Sequence, residues 1–313
     1  MAILRQGILW LSQQNSIFSF VRSNPLARKF ALRFVAGETI EDGVRAAQEL
    51  APRGITSSLD LLGESVTRAD EAIAAKDEYL TMLDRMKSAG TIEVNVSVKL
   101  TQMGLDIDEA LCQRNMQEIV ARARQHEGFV RLDMESSEYT QRTLDFFTRH
   151  LFAEFGAHCG VVIQSALRRS ETDIDALIAM GARVRLCKGA YLEPPAVAFP
   201  DKADVDRNYV RLMEELLTAG RYPGIATHDE AIIAHARKFV QRHGIPSDRF
   251  EFQMLYGVRR DLQEELRRLG HGMRVYIPFG TQWYPYLMRR LAERPANIAF
   301  IMGNVMKETV RGR

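Results

Sequence analysis

Gly160-Val161-Val162-Ile163-Gln164, then Ile174, Leu177 and Ile178, then Ala182-Arg183-Val184-Arg185-Leu186: the stretch 160–186 reads as strand, helix, strand. The two β-branched runs are short, and the apolar residues between them recur at three- and four-residue spacing. Strands separated by a helix must run parallel, because only a crossover connection returns the chain to the same end of the sheet. The same unit recurs outward in both directions. Strand-like runs stand at 55–59, 92–98 and 129–132 upstream, and at 224–227, 250–253 and 273–277 downstream. The first and seventh are short or poor in β-branched residues. Helical spacing marks Leu111, Met116, Ile119 and Val120 in one connection, and Tyr209, Leu212, Met213 and Leu216 in another. Eight such units predict an α/β fold closed into a (β/α)8 barrel of TIM type. The open doubly wound sheet is the competitor. It often carries G-x-G-x-x-G after its first strand, and no such sequence occurs here.

The bulk properties agree with one large domain. The chain has 313 residues, 46% of them hydrophobic, enough for a substantial core. A formal net charge of +2 argues against a nucleic-acid partner, which selects a strong basic excess. The one basic region is N-terminal: Arg5, Arg22, Arg28, Lys29 and Arg33 all precede the first acid, Glu38. Ile17, Phe20 and Val21, and again Phe30, Phe34 and Val35, suggest amphipathic helices. Residues 1–45 are therefore expected to be helices packed on a barrel of residues 46–313, and also form a candidate surface for peripheral membrane contact. No apolar run approaches the roughly 20 residues that span a bilayer. Cys112, Cys159 and Cys187 are scattered, without metal spacing, and read as unpaired thiols of a reducing, cytoplasmic compartment.

In a barrel the chemistry sits where strands end. Those ends are Asp60, Lys99, Asp133, Gln164, Arg185 with Lys188, Thr227 with His228, Gln253, and Tyr276. Each alone has an ordinary explanation: a helix cap for the acids, a snorkelling rim cation for the bases. Polar ends on every strand favour an active site. After the last strand, Tyr286, Arg289, Arg290 and Glu293 share one helical face, behind a loop carrying Trp283, Tyr284 and Pro285. Paired guanidiniums suit a carboxylate or phosphate, and Lys99 is placed to approach the same anion.

These residues also carry a resemblance. Arg185-Leu186-Cys187-Lys188-Gly189-Ala190-Tyr191, Ala226-Thr227-His228, Phe250 to Leu255, and Tyr286-Leu287-Met288-Arg289-Arg290-Leu291 resemble the proline dehydrogenase family, in its short monofunctional bacterial form. Asp60 to Glu64 and Ser97 to Leu100 fit too, so the likeness runs from about residue 40 to 310. It implies a distorted barrel holding FAD, oxidation of L-proline to Δ1-pyrroline-5-carboxylate by hydride transfer to the flavin, and reoxidation by a membrane quinone. By matching position, Lys99, Arg289 and Arg290 hold the proline carboxylate, and Tyr191, Leu255, Tyr276 and Tyr286 shape the ring pocket. Asp133 and Arg185 lie at the reacting centre. Met134, Gln164, Arg185, Cys187, Lys188, Gly189, Thr227, His228 and Gln253 line the FAD site, and Glu64 pairs with Arg289 as a gate. The loop 279–285 departs in composition from the bifunctional relatives, which puts site closure and tolerance of ring-substituted prolines in question. Two other classes fit the residues alone: a Schiff-base aldolase using Lys99 or Lys188, and a carboxylate-binding protein without turnover.

Overall fold

A computed structural model describes residues 33–293, with the backbone alone for 289–293. Eight parallel strands close in sequence order: β1 Thr56–Leu61, β2 Asn95–Val98, β3 Phe129–Leu132, β4 Cys159–Gln164, β5 Arg183–Cys187, β6 Gly224–Ala226, β7 Glu251–Leu255 and β8 Gly272–Phe279. The closing seam is β1 against β8, in register from Thr56↔Arg274 to Leu61↔Phe279. All eight expected runs are strands. The second is shorter than its apolar run, since the ladder starts only at Asn95.

Helices return each strand to the next: α1 Ile40–Leu50 precedes β1, and α2 Ala69–Ala89, α3 Glu109–Gln125, α4 Ser137–Phe146, α5 Ser170–Met180, α6 Lys202–Ala219, α7 Glu230–Arg242 and α8 Arg260–Arg268 follow β1 to β7. After β8 comes α9, Trp283–Glu293. Strand side chains alternate between two environments. Leu59, Val96, Val130, Val161, Val184, Ile225, Phe252 and Val275 are buried between sheet and helices and form the apolar core. Their neighbours line the barrel interior, where polar and charged side chains take the place of the branched apolar layers usual in such barrels. Ser58, Ser97, Arg131, Arg185, Glu251, Gln253 and Arg274 are all buried. Glycine makes space for them: a Cβ on Gly160 would stand 2.7 Å from Arg131 Nη1, and one on Gly224 2.4 Å from Gln253 Nε2.

Of the N-terminal expectation, residues 1–32 lie outside the described residues. Phe34 and Val35 are described and are not helical. Ala36 N–H donates to Pro278 O at 2.9 Å and Gly280 N–H to Gly37 O at 3.0 Å, so this backbone bonds to the end of β8 rather than to its own preceding turn. Val35 is nonetheless buried, in a cluster with Leu62, Trp283, Tyr284, Tyr286 and Leu287. At Val35 the apolar spacing marks burial correctly and the element wrongly.

Helix α1 begins with a capping box. Thr39 Oγ1 accepts from Asp42 N–H at 3.2 Å, and Asp42 Oδ2 accepts from Thr39 N–H at 3.1 Å. Partial burial pushes the Asp42 carboxyl up, but its bonds from Thr39 and Arg45 prevail and hold it below the usual carboxylate range. Thr39→Ala is expected to lower stability by about 1 kcal/mol at neutral pH. The carboxylate's contribution is complete above the ordinary aspartate range and is lost as pH falls through its lowered folded pKa, so the deficit should shrink in acid. Thermal melts of both proteins at pH 7 and at about pH 3 check this.

Candidate active site at the barrel mouth

Arg185 organises the carboxyl end of the barrel. From β5 it reaches four other strands or their ends. Nη1 donates to Asp133 Oδ1 at 2.8 Å and Ser97 Oγ at 3.2 Å, Nε to Gln253 Oε1 at 2.5 Å, and Nη2 to Ser58 Oγ at 3.4 Å. Asp133 Oδ2 accepts from the Tyr276 hydroxyl at 2.7 Å, and the Arg185 guanidinium carbon lies 5.2 Å from the Tyr276 ring centroid. Burial first, then Asp133 and Asp60, push the Tyr276 hydroxyl well above its usual pKa, so it stays a neutral donor.

Lys99, at the end of β2, donates to Asp60 Oδ1 at 2.9 Å. Burial opposes its charge, but attraction to Asp60, Asp133 and Glu64 prevails and raises its pKa above the ordinary lysine value. It is a fixed cation beside the Asp133–Arg185 pair. Glu64 is half-buried in the loop after β1.

A second group lies beside the first. Gln164 Nε2 donates to the carbonyls of Met134 and Glu135, both at 3.0 Å. The β4–β5 ladder continues past the strand ends, with Ser165 N–H on Cys187 O and Ala166 N–H on Lys188 O at 2.8 and 2.9 Å. Gly189 follows with φ +102°, and a Cβ there would stand 3.3 Å from both Ala166 Cβ and Gln164 Oε1. The result is a close-set backbone shelf. Lys188 Nζ is held by Asp206 at 2.5 Å and Asp229 at 2.8 Å. Thr227 Oγ1 accepts from Asp229 N–H at 3.1 Å. His228 Nε2 accepts from Leu255 N–H at 2.9 Å, which places the proton of a neutral ring on Nδ1.

Tyr191 and Leu255 are half-buried, on the β5–α6 loop and at the end of β7, and Tyr286 is buried in α9. Arg289 and Arg290 belong to α9, but their side chains lie outside the described residues, and with them the three-cation grip and the Glu64–Arg289 gate. Reading strand ends missed Ser58, Ser97, Glu251 and Arg274. A period-two signal was there: each stands two residues before a strand-end residue already singled out, and so on the same interior face.

The chain matches the family model for proline dehydrogenase over residues 44–302. It is 43% identical over 309 residues to the proline dehydrogenase of Deinococcus radiodurans, covering 97% of this chain and 98% of the relative. To proline dehydrogenase 1 of Bacillus subtilis it is 39% identical over 306 residues, covering 98% of this chain and all of the relative. A solved structure of proline utilization A from Bdellovibrio bacteriovorus, inactivated by N-propargylglycine, superposes with a TM-score of 0.79 at 25% identity. That likeness covers 89% of this chain and 34% of the larger protein.

Proposed function

The chain belongs to the proline dehydrogenase family and is an oxidoreductase of proline catabolism, and from that premise we propose that its barrel mouth holds FAD and L-proline side by side, with Arg185 and Asp133 at the reacting centre. The observation that carries this reading is the Asp133–Arg185–Tyr276 cluster with the fixed cation Lys99 beside it.

The residues fit a flavin. Gly189, at φ +102°, lets the backbone turn close against Ala166 and Gln164 without a side chain of its own, and Arg185 presents a buried cation at the same end of the barrel. Lys188 spends two of its three ammonium donors on Asp206 and Asp229, which leaves one for an oxygen of the cofactor. When bound, FAD supplies the acceptor for the hydride leaving proline. Met134, Gln164, Cys187, Thr227, His228 and Gln253 complete its surroundings. Lys99, Arg289 and Arg290 grip the proline carboxylate, which orients the ring carbon and lowers the barrier by positioning. Tyr191, Leu255, Tyr276 and Tyr286 enclose the ring, and Glu64 closes over it with Arg289. The electrons then pass to a membrane quinone, with the protein in the cytoplasm and residues 1–45 touching the bilayer. Among the described residues no helix is long and apolar enough to cross a membrane.

A Schiff base requires a neutral amine. Lys99 has a raised pKa and Lys188 is held between two carboxylates, so neither suits an aldolase. Purified protein is expected to be yellow and to lose its flavin absorbance when proline is added anaerobically. A colourless protein that takes up no FAD would overturn the reading.

A further inference from the structure

Below the mouth, the barrel interior carries a chain of charge that the proline reaction does not call for. Arg185 Nε donates to Gln253 Oε1, and Gln253 Nε2 donates in turn to Glu251 Oε1 at 2.7 Å. The same Glu251 oxygen accepts from Arg274 Nε at 2.7 Å, and its other oxygen from the Tyr222 hydroxyl at 3.3 Å. Arg274 continues to Ser57 O and to Glu93, each at 2.8 Å. Glu251, Gln253, Arg274 and Arg185 are 2%, 4%, 4% and 6% exposed, so water does not compete for the bonds among these four.

A glutamine side chain has two unlike ends, and nothing in its shape says which faces which way. Here its neighbours decide. Arg185 can only donate and an ionised Glu251 can only accept, so one orientation of the Gln253 amide satisfies both. We propose that Glu251 is a positioning residue: it locks the Gln253 amide with its oxygen toward Arg185, and so fixes the guanidinium that the mouth presents to the flavin. Arg274 and Tyr222 hold the carboxylate in place. Without an acceptor at position 251 the NH2 end of the amide loses its anchor, and Gln253 is held only by the bond it receives from Arg185. The guanidinium would shift, with its positive charge, away from the flavin edge. The inference rests on the placement of Arg185 beside FAD.

The test separates this lock from the stability of the ion pair. Breaking a buried pair on one side risks unfolding, whereas replacing both members with neutral groups is often tolerated. Two double variants suffice: Glu251→Met/Arg274→Met and Glu251→Gln/Arg274→Met. Both lack the ion pair, and only the second keeps an acceptor for Gln253. In the first, flavin reduction at saturating proline should fall at least about tenfold, with KM within about threefold and a lowered reduction potential of the bound flavin, as expected when about 1.4 kcal/mol of positioning is lost. In the second, the rate should stay within about threefold of wild type, a difference of about 0.6 kcal/mol, and the potential should be that of wild type. Two variants alike in rate and potential would overturn the proposal. A wild-type protein that binds no FAD would instead sink the placement of Arg185 on which it rests.

Discussion

Asp133→Asn is expected to slow flavin reduction by proline about a hundredfold, with FAD still bound. The wild-type carboxylate accepts two bonds at once, from Arg185 Nη1 at 2.8 Å and from the Tyr276 hydroxyl at 2.7 Å. An asparagine can accept on only one side. If its oxygen stays on Arg185, its NH2 faces Tyr276, and the hydroxyl must surrender its proton's present acceptor. If it turns, the NH2 meets a guanidinium. Either way, one charge-assisted bond is lost and the other weakened, together about 3 kcal/mol, which is about a hundredfold in rate. The substitution should also relax Tyr276. Burial sets most of that hydroxyl's upward shift, but Asp133 adds to it, so its titration should move toward lower pH in the variant. Stopped-flow reduction across pH reads both effects. A rate within threefold of wild type would show that Asp133 does not hold the reacting centre.

The fold was more legible than the site. Alternation such as Arg183-Val184-Arg185-Leu186 marks a strand with one apolar and one polar face, and short apolar runs such as Gly160 to Ile163 mark others, so all eight strands are legible in the sequence. What alternation does not say is where the polar face points. In an open antiparallel sheet it would face water. Closure turns it inward, and Arg131, Arg185 and Arg274 become interior groups. Strand ends can be counted from the sequence, and Asp133, Arg185, Gln253 and Tyr276, all at such ends, do meet. Lys188 can be counted with them, but its capture by Asp206 on α6 and Asp229 before α7 depends on the packing of two connections far apart in sequence. The roles of Arg289 and Arg290 rest on the helical spacing of α9 and the family resemblance.

Closure of a polar interior also predicts where the fold tolerates least change. Gly160→Ala is expected to lower stability by about 3 kcal/mol, although it adds one methyl group at a buried strand position. The new Cβ would lie 2.4 Å from Arg183 O, 2.7 Å from Arg131 Nη1 and 2.8 Å from Phe129 Cζ. Phe129 and the end of Arg131 are side chains and can give way. Arg183 O is backbone of β5, paired directly with Gly160 in the β4–β5 ladder, and it cannot move without opening the barrel. Nor is moving Arg131 free of cost. Its Nη1 donates to Arg183 O at 2.6 Å and Val161 O at 3.3 Å. It lies wholly inside the barrel, where burial and the neighbouring arginines Arg185 and Arg183 already push its pKa well below the usual value. A displaced Arg131 would lose carbonyls that water cannot replace. Gly181→Ala serves as the comparison. Gly181 caps α5 at φ +75°, and nothing lies within 4 Å of an added Cβ, so only left-handed strain applies, about 1 kcal/mol. Thermal melts of the two variants should therefore separate by several degrees, with Gly160→Ala the lower. Equal midpoints would mean that β4 and β5 can part without penalty, and that the polar interior does not need the space Gly160 leaves for it.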